Sequence, residues 1–449
     1  MMMKERNSGI SEHRMEIGDE GEQMMVELKR SNQASISIKD VKAMASSIRG
    51  KLCHKSPTPS KCSIFKVPDR LRRHNEKAFE PEIVSIGPFH HGKEKLQEME
   101  KIKLWYLHCL LNRAPTRETV LECFIEAIGS IVQECRGCYA GDIAYVETEF
   151  IEMMVVDGCF IIEFFRKVSK EVQRDEEDPV FNTSLMTWQI IKDLLMLENQ
   201  LPWRVLDCLF NLTKLNVQHR SLPNLIVSSI FAYEWSPRDN LKHILDCLRY
   251  FLIETCDRTC ETTRMSYTEQ IPSVTELVQA GVKFKVGDRK NQLNVTFRNG
   301  VMTIPQKSIF AETEPFYRNL IAFEQCDPSR DFKITSYAKF WDDLINTGQD
   351  VDFLKHQKIL KVYLSTEDVT SIFNRLYSDA DVGSFLYSDL YREVNAYFRR
   401  PWNRWRATLK HDYFKNPWTS LSVTATIVIL VFTFLPTIYS ILSYYRRTT

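Results

Sequence analysis

The sequence predicts a mainly α-helical protein: one large helical domain with a small β-hairpin insertion, plus one C-terminal transmembrane helix. Three observations carry this. Apolar residues recur at helical spacing from Glu94 onward, one short stretch around Asn299-Gly300 alternates instead, and no charged side chain occurs between Lys415 and Arg446. The chain has 449 residues, 44% hydrophobic and 26% charged, enough for one large or two medium domains. With 59 Lys plus Arg against 58 Asp plus Glu the net charge is only +1, so no overall basic field points to nucleic acid, and no nucleic-acid partner is expected.

Along the chain, residues 1–36 are polar and aperiodic and read as a disordered tail. Residues 37–61 hold a short amphipathic helix, Ile38 to Leu52, and the Pro- and Ser-containing linker KSPTPSKCS. The main domain is read over 62–412. It opens with FKVPDRLRRHNEKAFEPEIVSIGPFHHG, where Val67-Pro68, Glu80-Pro81 and Gly87-Pro88 bias the preceding residues towards extended conformations. Helices are then expected over Glu94 to Asn112, Thr119 to Gln133 and Glu147 to Lys170. The last is apolar on nearly every face through MMVVDGCFIIEFF and so belongs in a core. The acidic run EVQRDEEDP is expected to be a solvated loop. Trp188 to Leu212, interrupted at Leu201-Pro202, and Asn240 to Ile253 continue the helical pattern. Val282 to Val286, Leu293 to Phe297 and Val301 to Ile304 alternate, with Asn299-Gly300 as a two-residue hairpin turn, giving a β insertion at about 282–305. Further helices follow over Glu314 to Gln325, Ser336 to Ile345, Thr366 to Tyr377 and Phe385 to about Asp412.

The terminal segment, 416–445, reads as a membrane anchor. Leu421 to Leu442 is 22 residues, roughly 33 Å of helix against a hydrocarbon core of ~30 Å. Thirteen of the 22 are Leu, Ile, Val or Phe, worth about −4 to −8 kcal/mol of insertion free energy before the Ser, Thr and Pro436 terms. Arg399, Arg400, Arg404, Arg406, Lys410 and Lys415 precede the span and only Arg446 and Arg447 follow it, so the positive-inside rule puts the main domain in the cytosol and makes the span a tail anchor. The same cations, with Trp418, are candidate contacts with the membrane surface. The N-terminus has no apolar signal-peptide core. Sequons at Asn182, Asn211 and Asn294 would be used only if the domain were lumenal.

Chemistry is less forthcoming. His90 and His91, in the Gly-bounded run Gly87-Pro88-Phe89-His90-His91-Gly92, could bind a metal or act as acid and base. Adjacent side chains diverge, however, and no further spaced ligand follows, so a packed structural role is preferred. Cys135 and Cys138 have CxxC spacing without a second pair to complete a zinc site, and the twelve cysteines are read as reduced thiols. Asp157, Glu198, Asn199 and Glu324 lie inside apolar runs, where burial without partners costs several kcal/mol. They are therefore expected to join a buried polar network, with a ligand pocket as the sharper alternative. No GxSxG, Walker or GxGxxG signature occurs, and neither metal nor cofactor is expected.

The blocks VPDRLRRHNEKAFEPEIVSIGPFHHG, LQEMEKIKLWYL, CRGCYA, FIEMMVVDGCFIIEFF, DLLMLENQLPWRVLDCLF, IPSVTELVQAGVKF, YRNLIAFEQC and ITSYAKFWDDLINTGQDV, with YFKNPW before the span, follow one another in an order and spacing that resembles the plant domain-of-unknown-function 247 family. Trp203 and Arg204 stand where that family usually shows bulky aromatics. The resemblance implies a plant single-pass membrane protein with a mainly helical domain, a protein partner of unknown identity and no established enzymatic activity. Some members are implicated in self-incompatibility. The expectation is thus a membrane-tethered, non-enzymatic interaction module; the alternative is an enzyme with a site around His90-His91 and the buried acids.

Overall fold

A computed structural model describes residues 38–52, 62–113, 116–214, 220–235, 240–254, 270–288, 292–400 and 417–447. Two compact units are distinguished, Met1–Pro57 and Thr58–Thr449. The first contains α1 (Ile38–Lys51), with Leu52 closing it through an N–H donated to the Arg49 carbonyl. Mainly α is the right class for the second unit, in which helices surround one continuous apolar core.

That unit begins with the single turn α2 (Asp69–Arg72) and an irregular segment before α3 (Gln97–Leu111) and α4 (Arg117–Arg136). At its centre is α5 (Glu147–Val168), whose apolar run from Met153 to Phe165 is buried almost without interruption. A helix without a polar face must be covered on all sides. Here α3, α4, α7 (Trp203–Leu212) and α8 (Leu222–Phe231) cover it. Gly158 lets α7 approach, since a Cβ there would lie 2.5 Å from Leu209 Cδ1.

The helical run from Trp188 to Leu212 is two helices, α6 (Ser184–Leu194) and α7, and side chains rather than the proline alone make the break. Gln200 Nε2 donates to the carbonyls of Leu194 and Met196, and Asn199 Nδ2 to that of Asp193. These carbonyls would otherwise be orphaned at the helix end. Downstream, α9 (Ile244–Glu254) leads to α10 (Val274–Gln279), which starts at a Ser273/Glu276 capping box.

The β insertion contains the expected hairpin. β2 (Thr296–Arg298) and β3 (Val301–Pro305) pair antiparallel around Asn299-Gly300, both with positive φ. β1 (Lys283–Gly287) instead joins β3 in parallel, giving the order β1-β3-β2, and a second parallel pair forms from β4 (Lys307–Ile309) and β5 (Leu360–Val362). The unit is completed by α11 (Thr313–Cys326), α12 (Lys333–Leu344), α13 (Gly348–His356), α14 (Thr366–Leu376) and α15 (Ser388–Phe398).

Two expectations need correction. The long helix to Asp412 stops at Phe398, because Arg400 precedes Pro401 and the α conformation is disfavoured there; residues 401–416, with Arg404, Arg406, Lys410 and Lys415, lie outside the described residues. The acidic run is not wholly solvated, since Asp178 is fully buried against Lys167 and Tyr106. α16 (Pro417–Arg447) is a 31-residue helix. Among the described residues no helix is long and apolar enough to cross a membrane. The side chain of Trp418 lies outside the described residues.

Candidate functional site

The irregular segment 82–92 has no strand to pair with, so its backbone polar groups must be satisfied one by one. Buried side chains from three helices and from the break between α6 and α7 do this. The carboxylate of Asp193, on α6, accepts from the N–H groups of Glu82, Ile83 and Val84 at 2.7–3.1 Å. Asn199 accepts from Ile86 N–H at 2.7 Å and donates to the Val84 carbonyl at 3.0 Å. Asp157, on α5, accepts from Gly87 N–H at 2.8 Å, and Lys103, on α3, donates to the Ser85 carbonyl at 2.9 Å. Asp157 and Lys103 also form an ion pair with essentially no solvent exposure. Together these groups strap the segment onto the helical core.

Gly87 is required at the sharpest point. Its φ is +69°, and a Cβ would lie 2.7 Å from the Gln200 carbonyl oxygen and 2.9 Å from the Tyr139 hydroxyl. Tyr139 donates that hydroxyl to the same Gln200 carbonyl. It sits beside the CRGC turn, where Cys138 O accepts from Ser63 and Ile64 N–H and Ala140 N–H returns to the Ile64 carbonyl. The turn is thus a backbone clamp on residues 63–64. Burial pushes the Cys135 thiol up to about 12.

His90 and Glu198 meet, as the sequence reading grouped them. His90 is 3% exposed, its Nε2 lies 3.5 Å from Glu198 Oε2 without hydrogen-bond geometry, and neither ring nitrogen has a hydrogen-bond partner among the described residues. Burial, with Lys93 second, lowers the His90 pKa to about 3, so the ring is neutral at pH 7. Glu198 already accepts from Val67 N–H at 2.6 Å and from Arg72. His91 points elsewhere: half-buried, its ring packs edge-on to Tyr145 at 5.7 Å.

Glu324 belongs to a different cluster. It pairs with the buried Arg249 and accepts from Ile334 N–H, Thr335 N–H and the Thr335 hydroxyl, holding the first turn of α12. It shares no partner with Asp157 or Glu198 among the described contacts. Arg399 and Arg400 close the end of α15 through N–H groups donated to the Asn395 and Tyr397 carbonyls.

For the Lys103–Asp157 pair, burial disfavours charge on both partners. Asp157 and Glu100 more than offset this at Lys103, whose pKa is raised. Burial pushes the Asp157 carboxyl up, against Lys103 and the Gly87 N–H. With both donors within hydrogen-bond reach of Asp157, we read the pair as ionised. Burial likewise lifts Asp193 to about 6 despite its three N–H donors. Among the described residues no group of three or more His, Cys, Asp or Glu is placed to hold a metal ion.

Residues 64–432 match a plant family described as "Plant protein of unknown function" (DUF247). The chain belongs to this family. It is 29% identical over 417 residues to the UPF0481 protein At3g47200 of Arabidopsis thaliana, covering 85% of this chain and 87% of the relative. It is 22% identical to the Putative UPF0481 protein At3g02645 of the same plant, covering 82% and 88%. No solved structure matches.

The matched span of the DUF247 chain includes the whole strap and every buried group that holds it. Sequence reasoning missed Lys103, Asp193, His243 and Lys307. Lys103 and Asp193 sit at polar-looking places on amphipathic helices, where exposure is the usual outcome. A signal existed in their alignment with the buried faces of their helices, as Met99, Lys103 and Tyr106 recur at helical spacing.

Proposed function

We propose that this DUF247 protein is a membrane-tethered interaction module of plants, with its main domain in the cytosol and a non-enzymatic role in recognition or signalling. The supporting observation is α16. Six consecutive residues, Ile427 to Phe432, are each 46–71% exposed and together turn through more than one full revolution of the helix. Such a helix has no polar face to offer water, and a bilayer satisfies it. The uncharged sequence around the described part extends the apolar stretch to 22 residues, Leu421 to Leu442. The acids of the strap support a scaffold role, because their oxygens are occupied by backbone N–H groups and internal cations. Tethering would confine the domain to two dimensions and raise its effective concentration for a partner in the same membrane.

A topology assay on the full chain in plant cells tests this. The expected result is carbonate-resistant membrane association, digestion of the main domain by protease added outside sealed microsomes, and no glycan at the exposed Asn182 and Asn211. Glycosylation with protection would overturn the orientation; release by carbonate would overturn the anchor. A second reading, an enzyme built around His90, draws on its two unpartnered ring nitrogens beside Glu198. It would be favoured if His90→Ala abolished an activity while leaving the melting temperature unchanged.

A further inference from the structure

We propose that the interior between β4, α11 and α12 holds a binding site for one small monovalent inorganic anion, chloride in the simplest case. Lys307 from β4, Tyr317 from α11 and Tyr337 and Trp341 from α12 are 1–8% exposed. The Lys307 ammonium meets the Tyr317 hydroxyl and lies 4.3 Å and 5.4 Å from the ring centroids of Tyr317 and Tyr337. The Tyr337 and Trp341 rings meet edge to face at 5.9 Å. Neither the Tyr337 hydroxyl nor the Trp341 indole N–H has a hydrogen-bond partner among the described residues. Burial holds the Tyr337 hydroxyl protonated; the Trp341 indole N–H lies close enough to act against this, yet the two lack hydrogen-bond geometry.

The chemistry of this cluster is one-sided. An ammonium and an indole N–H donate without accepting, and each phenol carries a proton to donate. No acid among the described residues pairs with Lys307, and burial alone moves its pKa, down to about 7. A buried positive charge beside two orphaned donors calls for an acceptor that carries negative charge. A water molecule also accepts, but it brings two protons of its own and no charge, so it leaves the ammonium uncompensated. One cation in the cluster limits the ligand's charge to one, and enclosure by three aromatic rings and a lysine limits its size to one or a few atoms. Deprotonation and anion binding are alternative answers to the same buried charge: without an anion Lys307 sheds its proton readily, and with one it keeps it. The site depends neither on the membrane anchor nor on the role of His90.

Urea unfolding of the full chain in a mild non-ionic detergent tests this, with chloride exchanged for the bulky anion gluconate at constant ionic strength and neutral pH. The midpoint read by tryptophan fluorescence should rise saturably with chloride, and at about a hundred times the dissociation constant the unfolding equilibrium constant should fall about a hundredfold. Lys307→Met should remove the rise. Tyr337→Phe, which keeps the ring and deletes one donor, should retain the fold and need about tenfold more chloride for the same shift. Identical unfolding of the wild-type chain in both salts would leave the orphaned donors to water and overturn the proposal. So would a chloride-dependent rise that Lys307→Met or Tyr337→Phe shows undiminished, because the anion would then act elsewhere.

Discussion

Replacing Lys307 by methionine should stabilise the protein. Lys307, on β4, is 8% exposed, and among the described residues no acid pairs with it. Its ammonium meets the Tyr317 hydroxyl and lies 4.3 Å and 5.4 Å from the ring centroids of Tyr317 and Tyr337. Burial lowers its pKa to about 7, from about 10.4 in an unfolded chain. Because the folded state binds fewer protons than the unfolded one between these values, native stability rises with pH across that window. At pH 7 the linkage cost is about 4 kcal/mol. Methionine of similar length removes that cost but forfeits cation–π attraction and leaves the Tyr317 hydroxyl without a partner, about 2–3 kcal/mol together. The net expectation is a gain of about 1–2 kcal/mol at pH 7. Urea unfolding followed by tryptophan fluorescence would measure it at pH 7 and pH 9.5. By the higher pH the wild-type chain recovers about 3 kcal/mol, so the advantage of the variant should vanish or reverse. A destabilised Lys307→Met at pH 7, or a difference between the two proteins that does not change with pH, would refute the reasoning.

The other predictions concern the strap and the buried His243. Lys103→Met should cost about 3–5 kcal/mol by stranding the Asp157 carboxylate, and Lys103→Met with Asp157→Asn should cost less than the sum of the single changes, as a double-mutant cycle in urea would show. Gly87→Ala should cost about 3 kcal/mol or more, through positive φ and collision with Gln200 O. Gly92→Ala, at φ +82° with nothing within 4 Å of the added Cβ, should cost only about 1 kcal/mol, and comparing the two melting temperatures separates collision from backbone strain. His243 is fully buried, its Nε2 3.1 Å from the Ser63 carbonyl, and burial lowers its pKa to about 3. A folded pKa below the unfolded value means stability that is present above about pH 6.5 and lost as pH falls towards 3. His243→Gln should therefore lose about 2 kcal/mol less than wild type between pH 7 and pH 5, measured by urea unfolding at both values.

Much of the helical frame was legible because periodicity records burial. The sequence run MMVVDGCFII could only be a core helix, and α5 is one. Asn299-Gly300 named its own turn. The helices Leu222–Phe231 and Gly348–His356 were not foreseen, the first being short and apolar and the second having a weak pattern. The parallel pairing of β1 with β3 was hidden because alternation gives faces, not partners. In the candidate site, the burial of Asp157, Glu198, Asn199 and Glu324 was anticipated from their apolar neighbours, and all four are buried. Their partners were not, because a hydrogen bond from the Ile86 N–H to Asn199 spans 113 residues and nothing local encodes it. That Glu324 holds α12 rather than the strap was invisible for the same reason.

The strap also sets a timetable. Residues 82–86 leave the ribosome well before Asp193 and Asn199, the groups that hold them, which lie 109–115 residues later. At roughly 5–20 residues per second, synthesis of that interval takes about 6–23 s. Throughout it, the segment's N–H groups can bond only to water, and the apolar side chains it will bury remain uncovered. The N-terminal third of the domain is thus committed to waiting for its middle. A nascent chain stalled between Ile86 and Asp193 should be held by chaperones and cut readily by protease, whereas one stalled well beyond Asn199 should be resistant.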